Sequence, residues 1–191
     1  GPPRSGKGTI IRILMRLLGS ANVCSHTIQS LYSQYAFASM VGKLLLAVPD
    51  ARWNYREAPT VVEKLLPLIG GDPLPVEEKY EKTRASVFLR ARVMMASNDL
   101  PRFLDVSTAM ATRFIIARTA VSHLGREDLT LESKLIPELP GILNWAIDGW
   151  ERLQKQPQFT VPDATRADMD DLIGSSSPVT KFVDDVCYLD E

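Results

Sequence analysis

The apolar positions of this chain change period several times, and each change marks an element. Ile10, Ile13, Leu14 and Leu17 recur at helical spacing and Gly19 follows them, which predicts a first helix over roughly Gly8 to Leu18. Leu31 to Val41 reads as a second, apolar helix. Leu44 to Val48 is a short unbroken apolar run, the pattern of a strand buried on both faces. Thr60-x-x-Glu63 has the spacing of a capping box and opens a helix through Val61, Val62, Leu65 and Leu66. Gly70-Gly71-Asp72 predicts a turn, and 73–90 a hairpin or irregular ribbon. Val93 to Ala96 and Phe114 to Ala117 predict two further strands. Helices are expected around 128–136 and 141–154, the second carrying Ile142, Trp145, Ala146, Trp150 and Leu153 on one face. Ser177-Pro178 predicts a last amphipathic helix with Val179, Phe182, Val183 and Val186 inward.

Strands and helices alternate, so the expected class is α/β. At 191 residues and 45% hydrophobic content the chain can bury a core of its own. No apolar run approaches membrane-spanning length, so no membrane partner is expected. Cys24 and Cys187 lie far apart and match no metal or redox spacing, and His26 and His123 are isolated, so structural roles and a reducing, cytoplasmic setting are expected.

The net charge of −1 argues against wholesale coating of nucleic acid. Its distribution is uneven, however. Residues 163–191 carry eight acidic and two basic side chains, a local −6 that leaves +5 on the rest. A mildly basic body with an acidic tail leaves room for a local DNA-binding surface. The expected division is a body over 1–155 and an acidic helical tail over 156–191, with Gln156 to Pro162 as a short hinge.

The candidate chemistry sits at the start. Gly1, Gly6 and Lys7 fit G-x-x-x-x-G-K, the spacing of a loop that wraps nucleotide phosphates. Glycines let backbone N–H groups turn inward around the phosphate oxygens, the lysine adds a point charge, and the helix that follows aims its N-terminus at the same anion. Gly1, Pro2, Ser5, Gly6, Lys7, Gly8 and Thr9 are therefore the expected ATP-binding residues. The pattern places a serine or threonine after the lysine to ligate Mg²⁺; Gly8 stands there, and Thr9 is the candidate replacement hydroxyl. Such loops normally follow a buried strand, so the chain is expected to be a piece of a longer protein. Asp50 follows LLLAV and Asn98 follows VMMAS. In doubly wound sheets ligands bind outside the carboxyl ends of strands. Asp50 is thus a candidate to hold Mg²⁺ or polarise water, and Asn98 to hydrogen-bond that water or the γ-phosphate.

Further along, Lys79, Lys82, Arg84, Arg90 and Arg92 face only Glu81 across 79–92. Such a stretch suits sequence-independent phosphate contacts with single-stranded DNA. Lys79, Lys82 and Arg84 are the leading contacts. Tyr80 and Phe88 can stack bases, with core or hairpin packing favoured for Phe88.

The order of GPPRSGKGT, VGKLLLAVPDAR, GGDPLPVEEKY, MMASNDLPRFLD, MATRFIIA and ELPGILNWAIDGW resembles the helicase part of phage and plasmid primase–helicases, the poxvirus-type primase branch of superfamily 3 helicases. The resemblance covers essentially the whole chain, to about Leu189. It implies a P-loop AAA+-like parallel sheet flanked by helices, lacking its first strand here, with a helical C-terminal part. It implies ATP held by Lys7 and the loop glycines, Asp50 as the acidic residue of the second nucleotide motif, and Asn98 as the polar sensor. It makes 71–79 the builder of a DNA-contacting hairpin. Arg113 becomes an arginine finger reaching a neighbouring subunit's ATP, with Arg102 as the substitute and Asp99 or Asp105 as structural partners otherwise. The implied partners are single-stranded DNA, further copies in a ring of hexameric type, and a primase domain upstream, in a bacterial or phage-infected cell. Two rivals stand beside this expectation. A nucleoside monophosphate kinase also uses a Gly-Lys-Gly-Thr loop, and a non-catalytic ATP-binding assembly module fits Gly8.

Overall fold

The computed structural model describes residues 1–53, 58–80, 83–100, 113–156 and 158–176. Its centre is a parallel sheet of three strands, β1 (Val23–Ser25), β2 (Leu45–Val48) and β5 (Arg92–Met95), in the order β1-β2-β5. Val23 pairs with Leu45, and Leu46 with Val93. All four residues of β2 are buried, as a central parallel strand covered on both faces requires. Successive side chains alternate sides. Leu46 and Val48 point into a cluster with Leu31, Phe37, Met40, Val61 and Leu65. Leu45 and Ala47 point the other way, against Ile11, Val23 and Ala96.

Helix α1 (Lys7–Leu18) covers that second face. Ile11 and Ile13 are buried and Leu14, Met15 and Leu18 pack beside Ile11, so Ile13 and Leu14 of the expected stripe face inward while Ile10 is 53% exposed. Gly19 ends it at φ +79°, its amide donating to Met15 and Arg16 carbonyls.

The first face is covered by α2 (Ala58–Gly70) and by two 3₁₀ turns, Gln29–Tyr32 and Ala36–Met40. These turns replace the continuous helix expected over 31–41. Hydroxyls cause the break. Ser30 and Thr27 exchange side-chain and backbone hydrogen bonds, and Ser33 Oγ accepts from the Tyr35 amide. Such local bonds compete with the helical ladder. Lys64 of α2 then donates to the carbonyls of Leu31, Tyr32 and Ser33 at 3.1, 2.8 and 3.0 Å. The His26 ring bridges Ser30 and Ser39, the structural role expected of it, and burial pushes its pKa down. Helix α2 already contains Thr60, so the 60–63 capping box does not start it; residues 54–57 lie outside the described ones.

The hairpin is present. β3 (Pro73–Val76) pairs antiparallel with β4 (Arg84–Phe88), with an irregularity between Leu74 and Val76. Gly71, at φ +79°, makes the expected turn into it.

Phe114 to Ala117 is not a strand. Phe114 and Ile116 pack on the core and Ile115 is exposed, so the alternation is right. Alternation fixes faces but supplies no ladder, and Thr165 Oγ1 donates to the Ile116 carbonyl instead. The C-terminal part is helical: α3 (Leu131–Leu135), a 3₁₀ turn (Ile136–Glu138), α4 (Leu139–Lys155) and α5 (Asp163–Ser176). Trp145 on α4 is 70% exposed and Trp150 is also exposed. The sequence pattern does not single out α5, yet its Leu172 enters the main core. The helix expected from Ser177 lies outside the described residues. Among the described residues no helix is long and apolar enough to cross a membrane.

Candidate functional site

The phosphate-loop candidate is a closed turn whose lysine folds back over it. Lys7 Nζ donates to the Gly1 carbonyl at 2.9 Å, the Pro2 carbonyl at 2.6 Å and Ser5 Oγ at 3.0 Å. Ser5 Oγ also donates to the Pro2 carbonyl at 2.8 Å. The curvature needs left-handed backbone at Arg4, φ +56°, and Gly6, φ +86°. Gly6 is suited to this because it has no Cβ. Gly1 answers a different demand: a Cβ there would stand 2.6 Å from the Thr119 carbonyl oxygen. The first turn of α1 has no side-chain cap and no acidic residue. Its N-terminal amides and dipole are left to favour an anion.

A second segment, far away in sequence, walls the loop. The Thr119 and Ser5 hydroxyls share a hydrogen bond of 2.7 Å. Ser122 Oγ donates to the Pro3 carbonyl at 2.8 Å, and the His123 amide to the Arg4 carbonyl at 3.0 Å. The neighbouring Arg118 forms a two-pronged pair with Asp168 of α5, one arm at 3.0 Å, and Asp168 is 2% exposed. The Gly1 amine sits among these groups. Sequence reasoning missed Thr119, Ser122 and Asp168. The hydroxyl-bearing RTAVS after an apolar run was the available signal.

Asp50 and Asn98 do meet. They line one cleft of about 440 Å³ with Arg52, Trp53, Ser97 and Asp99, beyond the carboxyl ends of β2 and β5. Two hydrogen bonds fasten its rims: the Ala51 amide to the Ala96 carbonyl at 2.7 Å, and Ser97 Oγ to the Ala51 carbonyl at 2.9 Å. The candidate loop touches this cleft, because the Gly1 nitrogen donates to the Asn98 carbonyl at 3.1 Å.

Residues 1–113 match the family described as "Family of unknown function (DUF5906)". The chain belongs to this family. The matched span contains the loop, both cleft carboxamide and carboxylate positions, the hairpin and, at its last residue, Arg113. The wall at 118–123 and helices α3 to α5 lie beyond it.

The metal candidates fit a cation poorly in this arrangement. Thr9 Oγ1 accepts from Arg12 Nη2 at 3.2 Å, and Asp50 Oδ2 accepts from Arg52 Nε at 2.9 Å. A guanidinium therefore stands beside each candidate oxygen. Among the described residues no group of three or more His, Cys, Asp or Glu is placed to hold a metal.

Arg113 does not line the cleft. It is exposed, and its Nη1 donates to the Leu66 carbonyl of α2 at 3.0 Å, not to Asp99; Asp105 and Arg102 lie outside the described residues. Lys79 lies in the hairpin turn, its Nζ 5.3 Å from the Tyr80 ring centroid. Tyr80 is 95% exposed at φ +67°. Phe88 is 68% exposed, so it is not in the core; it stands in β4 of the hairpin opposite Pro73. Lys82 and the side chain of Arg84 lie outside the described ones.

Proposed function

We propose that this chain is an ATP-hydrolysing motor domain of the superfamily 3, AAA+-like kind, acting as a DNA helicase within a primase–helicase of phage or plasmid type. The observation that carries the reading is the junction of two parts. A loop with its lysine turned inward abuts a cleft that holds Asp50 and Asn98 at strand ends. In the reading, ATP phosphate oxygens replace the Gly1 and Pro2 carbonyls and Ser5 Oγ as acceptors for Lys7. Amides of the loop and of α1 complete the cradle. Asn98 orients a water, which attacks the γ-phosphorus as the bond from phosphorus to the β–γ bridging oxygen breaks. Asp50 accepts the water's proton once it leaves Arg52. Arg113 of a neighbouring copy stabilises the leaving charge, which makes the working form a ring. The exposed Lys79–Tyr80 tip grips single-stranded DNA by a phosphate contact and a stacking ring.

A second reading, a non-hydrolysing ATP-binding assembly module, is favoured by the Asp50–Arg52 pair at the cleft. ATP hydrolysis measured with and without single-stranded DNA separates the two. A motor turns over ATP and is stimulated by DNA; a module is silent in both conditions.

A further inference from the structure

The residue after Lys7 is glycine, and another side chain borders the space its own would fill. A long helical side chain lies over the turn N-terminal to its own Cα. Arg12, one turn on, does so: its Nη1 stands 3.2 Å from where a Cβ on Gly8 would be. Arg12 Nη2 donates to Thr9 Oγ1 at 3.2 Å, and Nε to Glu132 Oε2 of α3 at 2.7 Å. Among the described residues, Nη1 itself has no hydrogen-bond acceptor. A permanently charged, forked donor thus occupies the face of α1 where the loop pattern puts a metal-binding hydroxyl. It also lies within the first turn, whose amides favour an anion. Glu132 holds it there, accepting from Arg16 at 2.9 Å as well. These arginine hydrogen bonds lower the Glu132 pKa, so the clamp is ionised at neutral pH.

Resting on the phosphate-site reading above, we infer that Arg12 is a nucleotide-contacting residue. Its free Nη1 donates to a phosphate oxygen of ATP, supplying in cis the positive charge that a hydroxyl-held Mg²⁺ supplies elsewhere. Nucleotide affinity in this chain then depends on Arg12 and only weakly on the metal. A hydrogen bond between charged groups is among the stronger ones, so its loss is readable in a binding titration.

The test is ATP binding to the whole chain, titrated calorimetrically in excess Mg²⁺ and in EDTA, for the wild type, Arg12→Ala, Arg12→Lys and Glu132→Gln. The wild type should bind in both conditions with affinities within about tenfold. Arg12→Ala should weaken binding in EDTA by about tenfold or more, with a smaller loss in Mg²⁺. Arg12→Lys should recover part of it, as a point charge without the fork. Glu132→Gln removes the clamp and keeps the arginine, so it should bind ATP at least as tightly as the wild type. Two results overturn the inference while leaving the phosphate site standing: unchanged affinity of Arg12→Ala in EDTA, or equal losses in Arg12→Ala and Glu132→Gln, which mark a structural clip. A wild type that binds no ATP in either condition overturns the phosphate-site reading and this inference with it.

Discussion

At the scale of single residues, two of the leading candidates, Lys7 and Asp50, already have partners for their polar atoms. Lys7 spends its donors on its own loop, and Asp50 is paired with Arg52. An incoming nucleotide exchanges partners more than it fills a void. The two residues should therefore fail differently when changed. Asp50→Asn keeps a hydrogen-bonding side chain and sheds the charge that repels phosphate. Its ATP affinity should stay within about tenfold, roughly 1.4 kcal/mol, while turnover falls steeply. Hydrolysis rates and binding isotherms on the same preparation check this, and full turnover would show that another group handles the proton. The loop was legible in the sequence because Gly1, Gly6 and Lys7 act through local spacing. Thr119 was not, since its bond to Ser5 spans 114 positions. No periodicity or motif encodes such a contact; only the fold brings the hydroxyls together.

At the scale of elements, legibility followed burial. Strand β2 was readable because a parallel strand covered on both faces must be apolar throughout, and the structure buries all four residues. The hairpin was readable from its Gly71 turn. The sequence suggests a helix over 31–41 because composition there is apolar, but Thr27 and Ser30 just before it and Ser33 within it bond locally, and Lys64 takes the carbonyls from outside. Helix α5 was not singled out because its residues are mostly polar; it is anchored by few buried positions, among them Thr165, Asp168 and Leu172. The hairpin carries its own prediction. Its tip presents Lys79 and Tyr80 to solvent, the lysine beside the tyrosine ring. Lys79→Ala should weaken single-stranded DNA binding equally across sequences and lower the salt slope by about 0.7, the loss of one phosphate contact. Fluorescence anisotropy at several salt concentrations reads this directly. An unchanged slope would move the DNA contact away from the tip.

At the scale of the whole molecule, the parts assemble around one parallel sheet, with the loop and the cleft adjoining at the sheet's carboxyl side. The proposed finger, Arg113, is exposed and bonded to the Leu66 carbonyl of α2 instead of entering that cleft. In the proposed ring, the arginine would serve the neighbour's nucleotide. Arginines delivered in trans are worth about 10³–10⁵ in rate in other nucleotide hydrolases. Mixing Arg113→Ala with Lys7→Ala copies should therefore restore part of the ATP hydrolysis that each lacks alone. No recovery in mixed assemblies, verified by native mass spectrometry, would reduce Arg113 to a cap on α2.

The central claim is that Lys7 and its loop hold ATP for a reaction that DNA accelerates. Steady-state ATP hydrolysis by the wild type and Lys7→Ala, each with and without single-stranded DNA, tests it most directly. Circular dichroism alongside should show the same folded signal for both, because among the described residues Lys7 bonds only within its loop. The account predicts DNA-stimulated turnover in the wild type and none in Lys7→Ala. Equal hydrolysis by the two proteins, or a wild type indifferent to DNA, would contradict it.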